Sequence, residues 1–343
     1  MYPKQRQSVK SRPTPEPLPG QVQVKVHATA VNPVDYKIFD YGKFVREVPT
    51  VLGTDAAGEV TRLGSNVTNF RVGDRIIFQG QYNCQGDTSN GDKATFQQYC
   101  LADADLACKI PSSLDYDEAS TIPVGAVTAA AALYDLCLGL TVPWAEGGEG
   151  LYKGQTLVVL GGSSSVGSYS ASILNLSSIS ALSFKVVTTS SPAHIVYLKS
   201  IGASVVVDRS SPTLVGDLKA VVGGEVEYLV DAISLPDTLR AGIELVKEGG
   251  SMARVLPTNE QIEALAGEKG VRVLGAHGAS HMYPEFKGFW KATGGYIERG
   301  VIKPNRPRVL AGGLRAWEEA YELHRGGKVS GEKIVLKPQE TSD

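Results

Sequence analysis

TLVVLGGSSSVGSYSASILNL, residues 156–176, is the stretch on which the fold turns. Thr156 to Leu160 reads as a strand, and Val166 to Leu176 reads as a helix without internal Pro. Between them lies a glycine-serine turn made of Gly161, Gly162, Ser163, Ser164, Ser165, Val166 and Gly167. A strand that passes through such a turn into a helix brings backbone N–H groups to the helix N-terminus, where they can meet a pyrophosphate. The run departs from G-x-G-x-x-G in that Ser164 and Ser165 stand near where a glycine is expected. A glycine turn that only packs a helix on a sheet is the competing reading.

Downstream, the alternation continues. Phe184 to Thr188 reads as a strand, Pro192 to Ile201 as a helix and Val205 to Val207 as a strand. Tyr228–Ala232, Ser251–Leu256 and Val271–Leu274 are short apolar runs of the kind buried on both faces of a sheet. This pattern predicts an α/β lobe with a doubly wound parallel sheet over about residues 121–274. It opens with an Ala-rich helix, Val124 to Leu138, introduced by DEAS at 117–120. Residues 1–120 read differently. Val22, Val24 and Val26 alternate as on a half-buried strand, and β-like runs follow at Gly58–Arg62, Arg75–Phe78 and Thr95–Leu101. The polar stretch Gln81 to Lys93 reads as a surface loop. The tail, about 275–343, carries Leu314, Trp317, Tyr321 and Leu323 at near-helical spacing, then a turn and a closing strand, and is expected to complete the β-rich lobe.

The second strand ends in VVTTSSPAH, residues 186–194, with no acidic residue to bind the ribose hydroxyls of NAD. Ser190, Ser191 and His194 can donate to a 2′-phosphate instead, and Arg209 can add a positive charge. The cofactor expected is therefore NADPH. The chain's 343 residues suit about two domains. With 34 Lys and Arg against 36 Asp and Glu, its net charge of −2 gives no nucleic-acid footprint. The longest apolar stretch, Ile122 to Tyr134, is shorter than the roughly 18 residues of a membrane span. The proline-rich N-terminus does not read as a secretory signal. Cys84, Cys100, Cys108 and Cys137 form no CxxC pair, and a reducing, cytoplasmic setting is expected.

AVNPVDYK at 30–37, PTVLGTDAAGEV at 49–60, VGDRI at 72–76, GGSSSVG at 161–167 and GGKVSGEKIV at 326–335 together resemble the medium-chain dehydrogenase/reductase superfamily, in order and over nearly the whole chain. The resemblance implies a GroES-like β-rich catalytic domain and a Rossmann dinucleotide-binding domain. In the zinc alcohol dehydrogenases of that superfamily, Asn32 matches a Cys ligand and Val34 the proton-relay hydroxyl residue. Gly53-Thr54-Asp55 matches a GHE segment but lacks its His, and the third ligand falls near Val124. No metal is expected, because a catalytic zinc needs about three good donors and only Asp55 is offered. Cys84 and Cys100 cannot replace the four clustered cysteines of the structural zinc lobe. The NPxD pattern resembles the zinc-independent quinone and enoyl reductase branch, and GGSSSVG, VVTTSSP and GKVSGEK particularly resemble the trans-acting enoyl reductases of fungal polyketide pathways.

Without a Lewis acid, hydride addition to an enone or enoyl thioester is easier than reduction of an isolated carbonyl, since the product is a delocalised enolate. One positioned donor to such an oxyanion is worth on the order of 3 kcal/mol. The side-chain candidates are Lys37, which by resemblance contacts cofactor or substrate, Tyr41, the best nearby phenol for a proton donor, and Asn32. Thr128 matches a position near the nicotinamide amide. Asp35 is read as pinning its loop, His27 as structural, and His277 and His281 as candidates for a loop beside the substrate. The resemblance implies a small-molecule or carrier-bound enoyl substrate and a polyketide synthase carrier domain as partner, with no nucleic acid or membrane; monomer and homodimer both stay open. A quinone reductase and a non-catalytic NADPH-binding protein are the competing functions.

Overall fold

The computed structural model describes residues 7–342 except 43–44, 46–47, 83–90, 135, 145–150, 153 and 175–183. Cys84 and most of the Gln81–Lys93 loop lie outside the described residues. The chain opens with β1 (Gln21–Ala30), α1 (Pro33–Tyr41), β2 (Asp55–Leu63), β3 (Arg75–Gln79), β4 (Tyr99–Asp103), β5 (Ala107–Lys109) and α2 (Tyr116–Ser120). Then come α3 (Pro123–Leu133), β6 (Thr156–Leu160), α4 (Ser165–Leu174), β7 (Lys185–Ser190), α5 (Ile195–Ser200), β8 (Val205–Asp208), α6 (Leu214–Val222) and β9 (Val226–Asp231). It closes with α7 (Pro236–Leu245), β10 (Val246–Arg254), α8 (Glu260–Lys269), β11 (Arg272–Gly275), α9 (Phe286–Glu298), β12 (Pro307–Val309), α10 (Trp317–Arg325) and β13 (Lys333–Leu336).

Two compact units result. The first is Met1–Val124, Ala279–Glu298 and Pro304–Asp343; the second is Gly125–Gly278 and Arg299–Lys303. The sequence had put the borders near 120 and 275, and the return of 299–303 to the second unit leaves no local mark in the sequence.

The first unit is organised by β1. This strand pairs antiparallel with β2, β4 and β13 in a sheet of order β12-β13-β1-β2-β3-β5. Its alternation explains the placement, because Val22, Val24 and Val26 are fully buried and pack with Ala56, Val60, Ile76, Phe78 and Cys100. His27 stacks on the Tyr116 ring at 4.4 Å between centroids, a structural role as read. The run Thr95–Leu101 is only partly strand, since β4 starts at Tyr99. Gln97 Nε2 donates to the carbonyls of Gly91 and Ala94, which holds Thr95–Gln98 in a looped path before the strand begins.

In the second unit all strand pairs are parallel and the order is β11-β10-β9-β6-β7-β8. Counted from β6 this is 3-2-1-4-5-6 read from the β8 edge, the doubly wound arrangement whose order reverses between β6 and β9. Val158, Leu160, Val187, Leu229, Ile243 and Met252 fill its core. Two expectations need correction. The Ala-rich helix stops at Leu133 instead of Leu138, with the Leu138 N–H reaching back to Ala132 O. Val271–Leu274 is not buried on both faces, because β11 is an edge strand with Val273 and Leu274 half-buried.

Leu229 is fully buried at the centre of this sheet. Leu229→Ala is expected to cost about 2–5 kcal/mol of unfolding free energy, from lost burial plus the cavity left behind. Thermal or denaturant unfolding followed by circular dichroism measures it.

Candidate active site

The second unit builds a dinucleotide cradle from the end of β6. Gly161 N–H donates to Thr189 Oγ1 at 3.0 Å and Gly162 N–H to Thr189 O at 2.9 Å, so the turn is laid against β7. A side chain at Gly162 would place its Cβ 2.1 Å from Thr188 Oγ1, and one at Gly167 would place it 2.2 Å from Gly161 O. Both positions therefore require glycine, for close packing of strand, turn and helix. Ser164, which departs from the glycine pattern, caps α4: its Oγ accepts the Gly167 N–H at 3.1 Å. Ser168 Oγ donates to Gly162 O at 2.9 Å and ties the helix back to the turn.

Ser190 is the last residue of β7, where this fold meets the adenosine ribose. Its hydroxyl is buried and makes no hydrogen bond, so it has capacity left for a ligand oxygen. Arg209 follows β8, is exposed, and its backbone N–H reaches Ser190 O at 3.0 Å. Asp208 lies beside it, with one carboxylate oxygen engaged by Ser210 N and Oγ. At the reversal between β6 and β9, Asp231 accepts Ile233 N, Ser234 N and Thr238 Oγ1. Burial pushes this carboxyl up, against the pull of those donors. Ser234 is in the left-handed region with φ 57°. Its hydroxyl accepts the Val255 N–H at 2.8 Å, coupling the turns after β9 and β10. Thr128 is buried in α3, and Gly278 packs so tightly on it that a Cβ there would fall 2.0 Å from its hydroxyl. These residues fit a nicotinamide dinucleotide, which Gly161–Gly167 and Ser190 would hold.

The first unit contains a different constellation. Asn32 caps α1 in an extended conformation with Pro33 at the first helical position, and its backbone N–H donates to Asp35 Oδ2 at 2.7 Å. The Asn32 side chain is drawn to β2: Nδ2 lies 2.7 Å from Asp55 Oδ2 and 3.4 Å from Thr54 Oγ1. From β13, Lys333 Nζ meets the same Asp55 oxygen at 2.5 Å and Thr121 O at 3.2 Å. The other oxygen, Asp55 Oδ1, accepts the Val124 N–H at 2.6 Å. The pair is sealed from water, with side-chain exposures of 3% for Lys333 and 0% for Asp55.

Asn32, Thr54 and Val124, predicted to occupy the positions of zinc ligands, are thus gathered around one carboxylate. The donors do not fit zinc. Both Asp55 oxygens are committed, one of them to the Lys333 ammonium, and Val124 contributes only an N–H. Among the described residues no group of three His, Cys, Asp or Glu could hold a metal ion.

Lys37 and Tyr41 lie one turn apart on α1 and so share a face. Lys37 is half-buried, its Nζ 5.9 Å from the Tyr36 ring centroid, and burial lowers its pKa. Tyr41 is 56% exposed. Asn32 belongs instead to the buried cap, with its amide donors turned to Asp55 and Thr54. His277 and His281 fall in different units, His281 in a 3₁₀ turn at Ser280–Met282. That turn is pinned by Gln79 Oε1, which accepts Ser280 N and Oγ. Lys333, Thr188 and Thr189 were not foreseen. The available signal for Lys333 was a lysine heading the apolar run KIVL, all of it buried.

This geometry is that of a two-unit nicotinamide oxidoreductase. Residues 18–112 match the alcohol dehydrogenase GroES-like domain family and residues 150–292 the zinc-binding dehydrogenase family. The trans-enoyl reductase himH of Aspergillus japonicus is 35% identical over 92% of this chain and 89% of its own length. The enoyl reductase component lovC of a lovastatin nonaketide synthase, from Aspergillus terreus, is 29% identical over 92% of this chain and 89% of its own. Among solved structures, the Escherichia coli quinone oxidoreductase complexed with NADPH superposes with a TM-score of 0.74 at 19% identity, covering 96% of this chain and 95% of that one. The chain belongs to the medium-chain dehydrogenase/reductase superfamily, in the branch that holds the trans-enoyl reductases. It is an oxidoreductase of that superfamily.

Asp35 gives a pH signature. It is fully buried, one oxygen lacks a hydrogen bond, and burial foremost raises its pKa to about 7. Unfolded, it ionises near the usual value of about 4. Between those values the native state binds the extra proton, so the stability Asp35 contributes is whole below about pH 4 and is lost as pH rises through 7. Asp35→Asn, which keeps an acceptor for the Asn32 N–H, should flatten this slope. Its unfolding free energy relative to the parent should rise between pH 4 and 8 by up to a few kcal/mol, at about 1.4 kcal/mol per pKa unit. Urea titrations at four pH values measure the trend.

Proposed function

We propose that this chain is an NADPH-dependent, zinc-independent reductase that delivers hydride to the activated C=C of an enoyl thioester or another α,β-unsaturated carbonyl. The observation that carries the reading is the Lys333–Asp55 pair, which leaves no donor set for a Lewis-acid metal among Asn32, Thr54 and Val124. An isolated alkoxide would form there poorly stabilised, whereas an enolate spreads its charge. Bound NADPH would supply the hydride. The protein's part is to hold the pyrophosphate at the N-terminus of α4, to meet the 2′-phosphate with Ser190 and Arg209, and to fix the amide of Asn32 through Asp55. Thr128 is assigned to the nicotinamide side of the cradle. Lys37 and Tyr41, on one face of α1, are assigned to substrate contact, with the Tyr41 phenol as proton source for the α-carbon.

The names of the relatives support the substrate class. Trans-enoyl reductases and the enoyl reductase component of a nonaketide synthase point to a thioester presented on the carrier domain of a separate polyketide synthase. The setting proposed is the cytoplasm. Cys100, Cys108 and Cys137 are free thiols, and among the described residues no helix is long and apolar enough to cross a membrane.

Mixing the protein with NADPH and crotonyl-CoA should consume the reduced nicotinamide and yield the saturated thioester, identified by mass spectrometry. Faster turnover with a naphthoquinone than with any alkene would make it a quinone reductase instead, and tight NADPH binding with no acceptor reduced would make it a binding protein. Arg209→Ala removes an exposed charge without touching the core. It should raise the KM for NADPH about tenfold, the equivalent of one charged contact, and leave that for NADH within about twofold.

A further inference from the structure

Helix α1 carries both side chains assigned to the substrate, Lys37 and Tyr41, and its 9 residues are too few to be stable without tertiary contacts. It ends at a left-handed Gly42, whose N–H returns to Ile38 O at 2.8 Å. The last turn holds no base and does hold Asp40, a carboxylate placed against the negative end of the helix dipole. The compensating charge comes from α10, 285 residues away in sequence. Arg325 Nε donates to Asp40 Oδ2 at 2.9 Å and Nη2 to Oδ1 at 2.5 Å, a two-pronged fork. Its third nitrogen, Nη1, donates to Glu322 Oε1 at 2.6 Å, so the guanidinium is aimed from its own helix. The same cation lies 5.8 Å from the centroid of the Tyr36 ring and 5.9 Å from those of Phe39 and Tyr321. An exposed single-point ion pair fixes little, but this one is forked, sits among three rings and keeps only 28% and 26% of its side chains exposed.

Tyr36, Phe39 and Asp40 form the stripe of α1 that meets α10, and Phe39 adds an edge-on contact with Trp317 at 5.4 Å between centroids. At about 100° per residue, Lys37 and Tyr41 form the next stripe round the helix. Clamping the first stripe therefore sets where the second points. We propose that Arg325 is a positioning residue for α1: its fork on Asp40, set among the rings, fixes the rotation of the helix and with it the direction of Lys37 and Tyr41. Arg325 acts through the helix and not on the reacting atoms. The inference rests on the assignment of Lys37 and Tyr41 to substrate contact, and its test includes a reading that needs no turnover.

On the full chain, Arg325→Met keeps an apolar stem and removes the fork, and Arg325→Lys keeps the charge without the fork. Amide hydrogen exchange within α1 should quicken at least about tenfold in Arg325→Met and by less in Arg325→Lys, with β1 and β2 at parental rates. In turnover of crotonyl-CoA with NADPH, Arg325→Met and Asp40→Asn should each lower kcat about tenfold, and the double variant should lose no more than about thirtyfold, because both break one contact. The KM for NADPH should stay within about twofold of the parent, since the dinucleotide cradle belongs to the other unit. Unchanged exchange in α1 with Arg325→Met overturns the proposal, and so does acceleration spread evenly over the β-rich unit, which marks a packing role only. A loss of about a hundredfold in the double variant, or a kcat that holds while α1 loosens, overturns it equally. Should Arg325→Met fail to fold, Arg325→Lys and Asp40→Asn are read in its place by the same criteria. A parent that reduces no unsaturated thioester sinks the substrate assignment, and the exchange rates of α1 then decide the clamp by themselves.

Discussion

One buried carboxylate holds the β-rich unit in register with itself. Asp55 opens β2, and through three donors it fastens β13, the cap of α1 and the first turn of α3. Each of those elements is short: α1 has 9 residues and β13 has 4. Such short elements make few backbone hydrogen bonds of their own, and although the apolar residues of β13 are fully buried, apolar contact alone does not set register. A charge-assisted network does so with directionality that apolar packing lacks, at the cost of desolvating both ions. That cost explains why the network is complete on the Asp55 side. Leaving either ion buried and unpaired is worth about 3–5 kcal/mol against the fold. Asp35, in the first turn of α1, shows the contrast: burial foremost, with the Asp55 charge adding to it, pushes its carboxyl up to about 7.

The dinucleotide unit solves its problem with backbone and small side chains. Thr188 and Thr189 do two jobs at the end of β7. One hydroxyl bonds Val159 O within the sheet, and the other accepts the Gly161 N–H that shapes the turn. The turn is thereby set before any ligand arrives, and Ser164 closes the helix N-terminus by capping Gly167. Replacing the central glycine of the pattern by serine exchanges one free helix-terminal N–H for a fixed one. The cradle gains rigidity and gives up part of its anion-binding capacity. Ser190, whose buried hydroxyl is unsatisfied, is the converse case, a polar group kept uncompensated where a ligand can compensate it.

What could be read from the sequence follows from how local each signal is. β6, the glycine turn and α4 lie within about twenty consecutive residues and announce themselves by strand, turn and helix composition. The alternation of Val22, Val24 and Val26 likewise fixes the buried face of β1. α9 carried a legible signal that was passed over, since Phe286, Phe289, Trp290, Thr293, Tyr296 and Ile297 recur at helical spacing and are all buried. Thr95–Gln98 misled because a side chain, Gln97, satisfies the loop carbonyls that a strand ladder would otherwise take. The site was half legible. That Asn32, Thr54 and Val124 are poor zinc ligands is a statement about residue types. That Lys333 meets Asp55 is a statement about a pairing no local pattern encodes.

A tethered ammonium and a metal ion differ in what they leave available. A catalytic metal keeps an open coordination position and polarises whatever oxygen enters it. An ammonium has three donors, and two of Lys333's are directed at Asp55 and Thr121. With 3% of its side chain exposed, it offers an incoming substrate oxygen almost nothing. The charge is therefore spent on architecture, and the reaction proposed for this chain has to proceed without it. Conjugate reduction meets that condition, because delocalisation over the enolate does within the substrate what a Lewis acid would otherwise do from the protein.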